Sequence, residues 1–394
     1  MTEDRIFVAG AGPVGMVAAA RLANAGVPVT VFETLPDLAT ESRASTFHPP
    51  TLDMLDEIGA AAPLIAGGLK APKLQYRSTR FGVLATFDFG DIADLTSHPY
   101  RVQAEQFKLT RIILDRLKGD PNVEVVFGCG VQHATQAHDG VTVTLDGGDT
   151  RTGRWLIGAD GASSAVRRAA GIEFEGFTWP ERFLVVSTPF DFFKVIDDLV
   201  DVTYIADPVQ WHFLLRIPGL WRVMFPIPAD MDDEAALDEA YAQSRLASVV
   251  SGTGPFEIAH VTLYRVHQRV AKSFRAGRVF LAGDAAHINN PLGGMGMNGG
   301  IHDAVNLTDR LIEVWRDAAP TTLDGYDAQR RGVTMEYVQT ATIQNKRNLE
   351  AATDADQTRF RDDMRTAAGD RDRTRAYLQR VSMLASLKRA AELG

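Results

Sequence analysis

Gly10-Ala11-Gly12-Pro13-Val14-Gly15 follows the apolar run Ile6–Ala9 and opens a segment with Val14, Val17, Ala18, Leu22 and Ala25 at helical spacing. Gly26 ends that segment, residues 14–25, and a second run of β-branched residues follows at Val29–Phe32. Strand, glycine turn, helix, strand is a βαβ unit, the start of a parallel sheet covered on both faces. The glycine spacing is the dinucleotide fingerprint. Gly10 permits the tight turn, Gly12 lets the backbone approach a pyrophosphate, and Gly15 lets helix and strand pack closely. The helix N-terminus supplies free N–H groups and partial positive charge. Glu33 ends the second strand, where an acid binds ribose hydroxyls.

Outward from this unit, residues 51–58 and 107–117 read as helices, and 123–127 and 141–145 as strands. Asp146-Gly147-Gly148-Asp149 is a turn. From about residue 183 to 264, short aromatic and β-branched strands (200–205, 211–217, 222–227) predict a mostly antiparallel sheet inserted into the parallel domain. Residues 279–282 return to a buried strand, and everything after Gly299 reads as helical.

The 394 residues allow two or three structural units. A formal net charge of −9 argues against a nucleic-acid surface, which needs a basic stripe. Cys129 is the sole cysteine, so neither an intrachain disulfide nor a cysteine metal site is available; no metal is expected. No basic leader precedes the first strand and no apolar run is long enough to span a bilayer. A cytoplasmic chain without membrane insertion is the expectation.

Two further motifs stand beside the fingerprint. Leu156-Ile157-Gly158-Ala159-Asp160-Gly161-Ala162-Ser163-Ser164-Ala165-Val166-Arg167 ends a buried strand in Asp-Gly and then starts a helix. Read alone, it is a turn with an N-cap, since Asp and Ser both serve there. Gly277 to His287 ends a strand in Gly283-Asp284. After it, Pro291-Leu292-Gly293-Gly294-Met295-Gly296-Met297-Asn298-Gly299-Gly300 aims another helix N-terminus forward, where its partial positive charge would favour an anion.

Taken together, and in this order, the three motifs resemble the class A flavoprotein monooxygenases, the family of para-hydroxybenzoate hydroxylase, over about residues 5–311. The resemblance implies an α/β fold: an FAD-binding Rossmann-like parallel sheet, an inserted mostly antiparallel substrate-domain sheet and a C-terminal helical region. We place these at residues 1–176 with 268–328, at 177–267 and at 329–394. It further implies that Gly10, Ala11, Gly12, Pro13, Val14, Gly15 and Glu33 bind the ADP half of FAD. Arg43 resembles an arginine near the pyrophosphate, Gln106 a cofactor contact, and Val131 a backbone neighbour of adenine. Asp160 resembles the position linking FAD and NAD(P)H, and Asp284 the ribityl and phosphate contact. Pro291 resembles the proline at the reacting flavin edge, and Gly294, Gly296, Met297 and Asn298 the loop holding the isoalloxazine pyrimidine.

The chemistry implied is reduction of FAD by NAD(P)H, reaction with O2 to a C4a-hydroperoxide, and oxygen transfer to a small aromatic, typically phenolic, substrate. Trp211, Phe213, Trp221, Met224 and Phe225 offer apolar walls, about half of which must face elsewhere by strand alternation. Arg216 and Arg222 resemble the family's two substrate-domain arginines, one of which could grip a carboxylate; the plainer reading of Arg216 is a solvated strand residue. Tyr204, His212 and His48 are candidate bases, each with a structural reading beside it, so none is named catalytic. Other FAD-dependent reactions on the same scaffold (an epoxidase, ring-opening oxygenase or dehydrogenase), or a flavin-binding interaction protein without turnover, remain alternatives. The helical tail reads as a cap plus a homodimer surface.

Overall fold

In the computed structural model, which describes residues 3–40, 44–250 and 252–393, the fingerprint βαβ unit forms the centre of the molecule. Ile6–Ala9 pairs in parallel with Val29–Phe32 on one side and Trp155–Gly158 on the other. Among the described residues the full sheet has six strands, in the order Arg275–Ala276, Val279–Leu281, Trp155–Gly158, Ile6–Ala9, Val29–Phe32, Val123–Val126. All four residues of Ile6–Ala9 and of Val29–Phe32 are buried, as a sheet covered on both faces requires. The helices Pro13–Asn24, Gln106–Leu117 and Met295–Trp315 pack upon it. Pro13 takes the first helical position, where its missing N–H costs nothing.

The second sheet has eight strands among the described residues: His287–Ile288, His260–Ala271, Phe174–Thr188, Leu220–Ile227, His212–Ile217, Val202–Ala206, Lys73–Ser78 and Gly82–Asp88. It is antiparallel except where Val202–Ala206 meets Lys73–Ser78. The sheet therefore outgrows the 177–267 segment. The hairpin Lys73–Ser78/Gly82–Asp88 comes from the stretch assigned to the FAD-binding unit, and the long strands Phe174–Thr188 and His260–Ala271 cross both boundaries.

Two helices interrupt the inserted segment, Asp233–Leu237 and Glu239–Val249, in a stretch where strands were expected to dominate and no helix was assigned. The Asp238 side chain starts the second by accepting from Ala240 N–H at 2.8 Å. Together they bury the back face of the sheet, with Leu246 and Ala242 against Leu184, Val223 and Phe225. The C-terminal region is helical as read. Phe360, Met364, Leu378 and Val381 cover the other face, against Tyr76 and Phe87.

Candidate active site

At the fingerprint, three glycines meet three different demands. A Cβ on Gly10 would stand 2.5 Å from the Ala159 carbonyl oxygen, and one on Gly15 would collide with the Gly10 carbonyl. These two make the turn and the helix–strand contact. A Cβ on Gly12 would meet nothing within 4 Å. Gly12 is thus the open lip of the cradle. The helix behind it has no side-chain N-cap and no acid in its first turn. An uncapped, acid-free helix N-terminus beside an open glycine fits a pyrophosphate. Glu33 holds the loop, accepting from Ala11 N–H at 2.7 Å and Leu35 N–H at 3.0 Å. Val14 packs against Gly283 and Gly300, so the first motif is in contact with the third. Gln106 opens its helix, its N–H bonded to the Ala44 carbonyl, and buried Val131 begins the strand Val131–Gln136. Arg43 lies outside the described residues.

Asp160 occupies the place that the turn-and-cap reading assigns it. Its carboxylate accepts from Ser164 Oγ at 2.5 Å and Val166 N–H at 3.1 Å, while Ser164 Oγ accepts from Arg167 N–H. Arg167, unassigned from sequence, does more. Its buried guanidinium donates to the carbonyls of Ala162 and Ala285, stapling the Asp-Gly loop to the Gly-Asp loop. Asp284 stands in the turn Gly283–Ala285 and faces the cleft.

A fully buried ionic group holds that turn from behind. Asp303 accepts from Gly283 N–H at 3.1 Å, from His287 Nε2 at 2.8 Å and from Arg330 Nε at 2.7 Å. Burial works to raise its carboxyl, but the adjoining His287 ring, the Arg330 guanidinium and these hydrogen bonds outweigh it and keep the carboxyl below the usual range. His302, on the same helix, is pushed down to about 3 by burial and by Arg330.

The Asn298 side chain is engaged by the protein itself. It donates to the Thr46 and Gly294 carbonyls and accepts from His48 N–H, fastening the glycine loop to the strand Thr46–Phe47. Gly296 lines the cleft, Gly294 caps the helix Met295–Trp315, Met297 packs on the core, and Pro291 is exposed at the head of the loop.

Between the two sheets lies a cleft of about 1050 Å³ whose walls include Asp284, Gly296, Asn289, Arg222, Tyr264 and Phe107. The alternation in Leu220–Ile227 sorts the candidate walls. Met224 and Phe213 are cross-strand neighbours that join Trp211 in the core on the cleft side, whereas Trp221 and Phe225 pack on the back. The same alternation separates the arginines. Arg222 is buried on the cleft, donating to Ser45 Oγ at 3.1 Å. Arg216 pairs across from Trp221 and so lies on the back face, ion-paired with Asp201 at 3.3 Å and placed over the Phe193 ring. It cannot share a substrate with Arg222. No group of three or more His, Cys, Asp or Glu among the described residues is arranged to hold a metal. Nor, among them, is any helix long and apolar enough to cross a membrane.

Comparison with known proteins agrees with this geometry. A family model described as FAD binding domain matches residues 3–341. The chain is 34% identical over 392 residues to para-nitrophenol 4-monooxygenase of Pseudomonas sp. (strain WBC-3), spanning 96% of this chain and 95% of that one. It is 35% identical over 357 residues to 6-hydroxy-3-succinoylpyridine 3-monooxygenase of Pseudomonas putida (strain DSM 28022 / S16), spanning 88% and 89%. Among solved structures, p-nitrophenol 4-monooxygenase from Pseudomonas putida DLL-E4 superposes with a TM-score of 0.90 at 31% identity, over 97% of this chain and 98% of that one. Anhydrotetracycline hydroxylase from Streptomyces rimosus superposes at 0.78 with 26% identity, over 98% and 76%.

Proposed function

Since this chain belongs to the FAD binding domain family and is an FAD-dependent aromatic monooxygenase of the class A type, we propose that it hydroxylates a para-substituted phenol or a hydroxylated heteroaromatic ring, with NAD(P)H as electron donor and O2 as co-substrate. The observation that carries the reading is the shared cleft: Asp284 and Gly296 from the cofactor side meet Arg222 and Tyr264 from the sheet across one opening. The names of the two relatives that align nearly end to end supply the substrate class, each carrying a hydroxylated or nitrated six-membered aromatic ring.

FAD, once bound, supplies the electron transfer and the oxygen activation. The residues of this chain hold and orient it. Gly12 and the N-terminus of Pro13–Asn24 take the pyrophosphate, and Glu33 a ribose. Asp284 takes the ribityl chain, and the loop 291–297 the ring system. The sheet and the C-terminal helices then keep water from the reacting atoms. The test is NAD(P)H oxidation under air with a panel of phenols. Stimulation by para-substituted phenols, with hydroxylated product matching the NAD(P)H consumed, is expected. Oxidation that no phenol or hydroxypyridine stimulates would refute the proposal.

A further inference from the structure

Thr46–Phe47, Arg101–Gln103 and Leu69–Ala71 form a small antiparallel sheet, with Thr46 opposite Gln103 and Phe47 opposite Val102. Thr46–Phe47 and Arg101–Gln103 are buried at every residue. Such a strand ordinarily carries apolar residues on both sides. Phe47 and Val102 satisfy this on the face toward the dinucleotide core. The opposite face carries Thr46, Gln103, Arg101 and, one residue past Phe47, His48. Their exposures are 9%, 0%, 2% and 0%.

These polar groups are incompletely satisfied. His48 Nδ1, Arg101 Nε and Gln103 Nε2 have no hydrogen-bond partner among the described residues. The one bond the Arg101 guanidinium makes among them runs from Nη2 to the Val381 carbonyl at 3.2 Å, and no carboxylate pairs with it. Elsewhere in the molecule buried guanidiniums are answered: Arg330 by Asp303, and Arg167 by two carbonyls. Arg101 also lies over the Phe89 ring at 5.4 Å, but a buried cation without a counter-charge is costly, and a ligand that completes its hydrogen bonds offsets that cost.

The face abuts the loop at the cleft. His48 Nε2 donates to the Gly293 carbonyl at 2.9 Å, and Gly293 N–H donates to Tyr204 Oη at 3.2 Å. Tyr204 stacks on Tyr76 with ring centroids 5.4 Å apart. Burial pushes the Tyr76 hydroxyl up to about 12, so it stays protonated. Burial, then the charge of Arg101 and more weakly His302, holds His48 well below its ordinary value and hence neutral. With its proton on Nε2, the neutral ring offers Nδ1 as an acceptor. Beside it, Arg101 Nε–H is a donor. A neighbouring donor and acceptor are the complement of a hydroxyl group.

We propose that His48 and Arg101 receive the phenolic hydroxyl of the substrate, Nδ1 of His48 accepting its proton and Arg101 donating to its oxygen. The O–H bond breaks, an N–H bond forms at Nδ1, and the electron pair stays on oxygen as a phenolate that enriches the ring for oxygen transfer. The anion offsets the Arg101 charge, which after burial is the second cause that holds His48 neutral, and so eases the proton transfer when substrate is present. Of the other candidate bases, Tyr204 spends its oxygen on Gly293, and His212 lies on the back face beside Phe225. The inference rests on the phenol-hydroxylase reading and assigns that site its base.

The experiment uses FAD-loaded protein with 4-nitrophenol and its methyl ether, 4-nitroanisole, which lacks the hydroxyl. Wild type should bind the phenol at least about tenfold more tightly than the ether, the scale of one charge-assisted hydrogen bond. Difference spectra should show bound 4-nitrophenol as the coloured phenolate below the dye's own pKa. Arg101→Met should lose both the preference and the colour, and keep or raise the melting temperature of the substrate-free protein, since a buried unpaired charge is gone. Arg101→Lys should restore part of the colour. His48→Gln keeps the backbone N–H that Asn298 needs, and should retain binding of the ether but not ionisation of the phenol. Variants that ionise the dye as wild type does, or that lose FAD and fold without any substrate present, overturn the proposal. Wild type that hydroxylates no phenol at all removes the functional reading as well; wild type that does so beside indifferent variants removes this proposal alone.

Discussion

Gly12→Ala should empty the protein of FAD without unfolding it, whereas Gly15→Ala should damage the fold itself. The added methyl at Gly12 meets no atom within 4 Å, so the FAD-free chain accommodates it. The same methyl occupies the space through which a phosphate must approach the uncapped N–H groups of Pro13–Asn24. If two charge-assisted hydrogen bonds of about 1.5–3 kcal/mol each are lost, the FAD dissociation constant rises roughly a hundred- to ten-thousandfold. At Gly15 the methyl collides with the Gly10 carbonyl, a backbone atom that cannot step aside. The assay is a titration of FAD-stripped protein by flavin fluorescence quenching, alongside thermal melts of the same samples. Gly12→Ala should melt within a degree or two of FAD-free wild type and bind FAD weakly. Gly12→Ala that binds FAD like wild type, or FAD-free melts that fall equally for both variants, would refute the division between cradle and packing.

Asp303→Asn leaves Arg330 buried without its counter-charge, which costs about 3–5 kcal/mol. For a chain of 394 residues, with an unfolding entropy of roughly 0.8 kcal/mol per degree, melting should fall about 4–6 °C, and Arg330→Met added to it should recover part of the loss. Burial holds His48, His212 and His302 neutral in the fold, with pKa values below those of the unfolded chain. Below about pH 6.5 the unfolded chain therefore binds more protons, and stability is lost as pH falls, by up to about 1.4 kcal/mol per pH unit for each histidine. Thermal melts from pH 7.5 to 4.5 check this, and a flat profile contradicts it. Arg222→Met should lower kcat/KM about tenfold or more, since Arg222 is buried on the cleft, while Arg216→Met should stay within about twofold, since it removes a partly exposed pair on the back face. Steady-state kinetics with equal losses in both would reverse the assignment of faces.

The parallel domain was legible because its signals are local: an apolar run, a glycine turn, a helical period and an acid within thirty residues. The edge of the second sheet was not. The hairpin Lys73–Ser78/Gly82–Asp88 finds its partner at Val202–Ala206, more than a hundred residues on, and nothing in either segment names the other. The alternation that splits Arg216 from Arg222 was readable, but which parity faces the cleft depends on the helices 233–249 covering the back. Asp160 and Asn298 were read as cofactor contacts, and the structure engages both side chains with the protein's own backbone. Arg101 and Gln103 were missed although Arg101-Val102-Gln103 alternates polar, apolar, polar. A solvent-facing edge strand has the same pattern, and only burial distinguishes the two.

The central claim is that this cleft transfers oxygen from O2 to an aromatic ring. Turnover of FAD-loaded protein with NAD(P)H, a para-substituted phenol and isotopically labelled O2, followed by mass spectrometry of the product, tests it most directly. One labelled oxygen atom per product molecule is predicted. Product carrying oxygen from water, or NAD(P)H consumed with only hydrogen peroxide formed across the phenol panel, would contradict it.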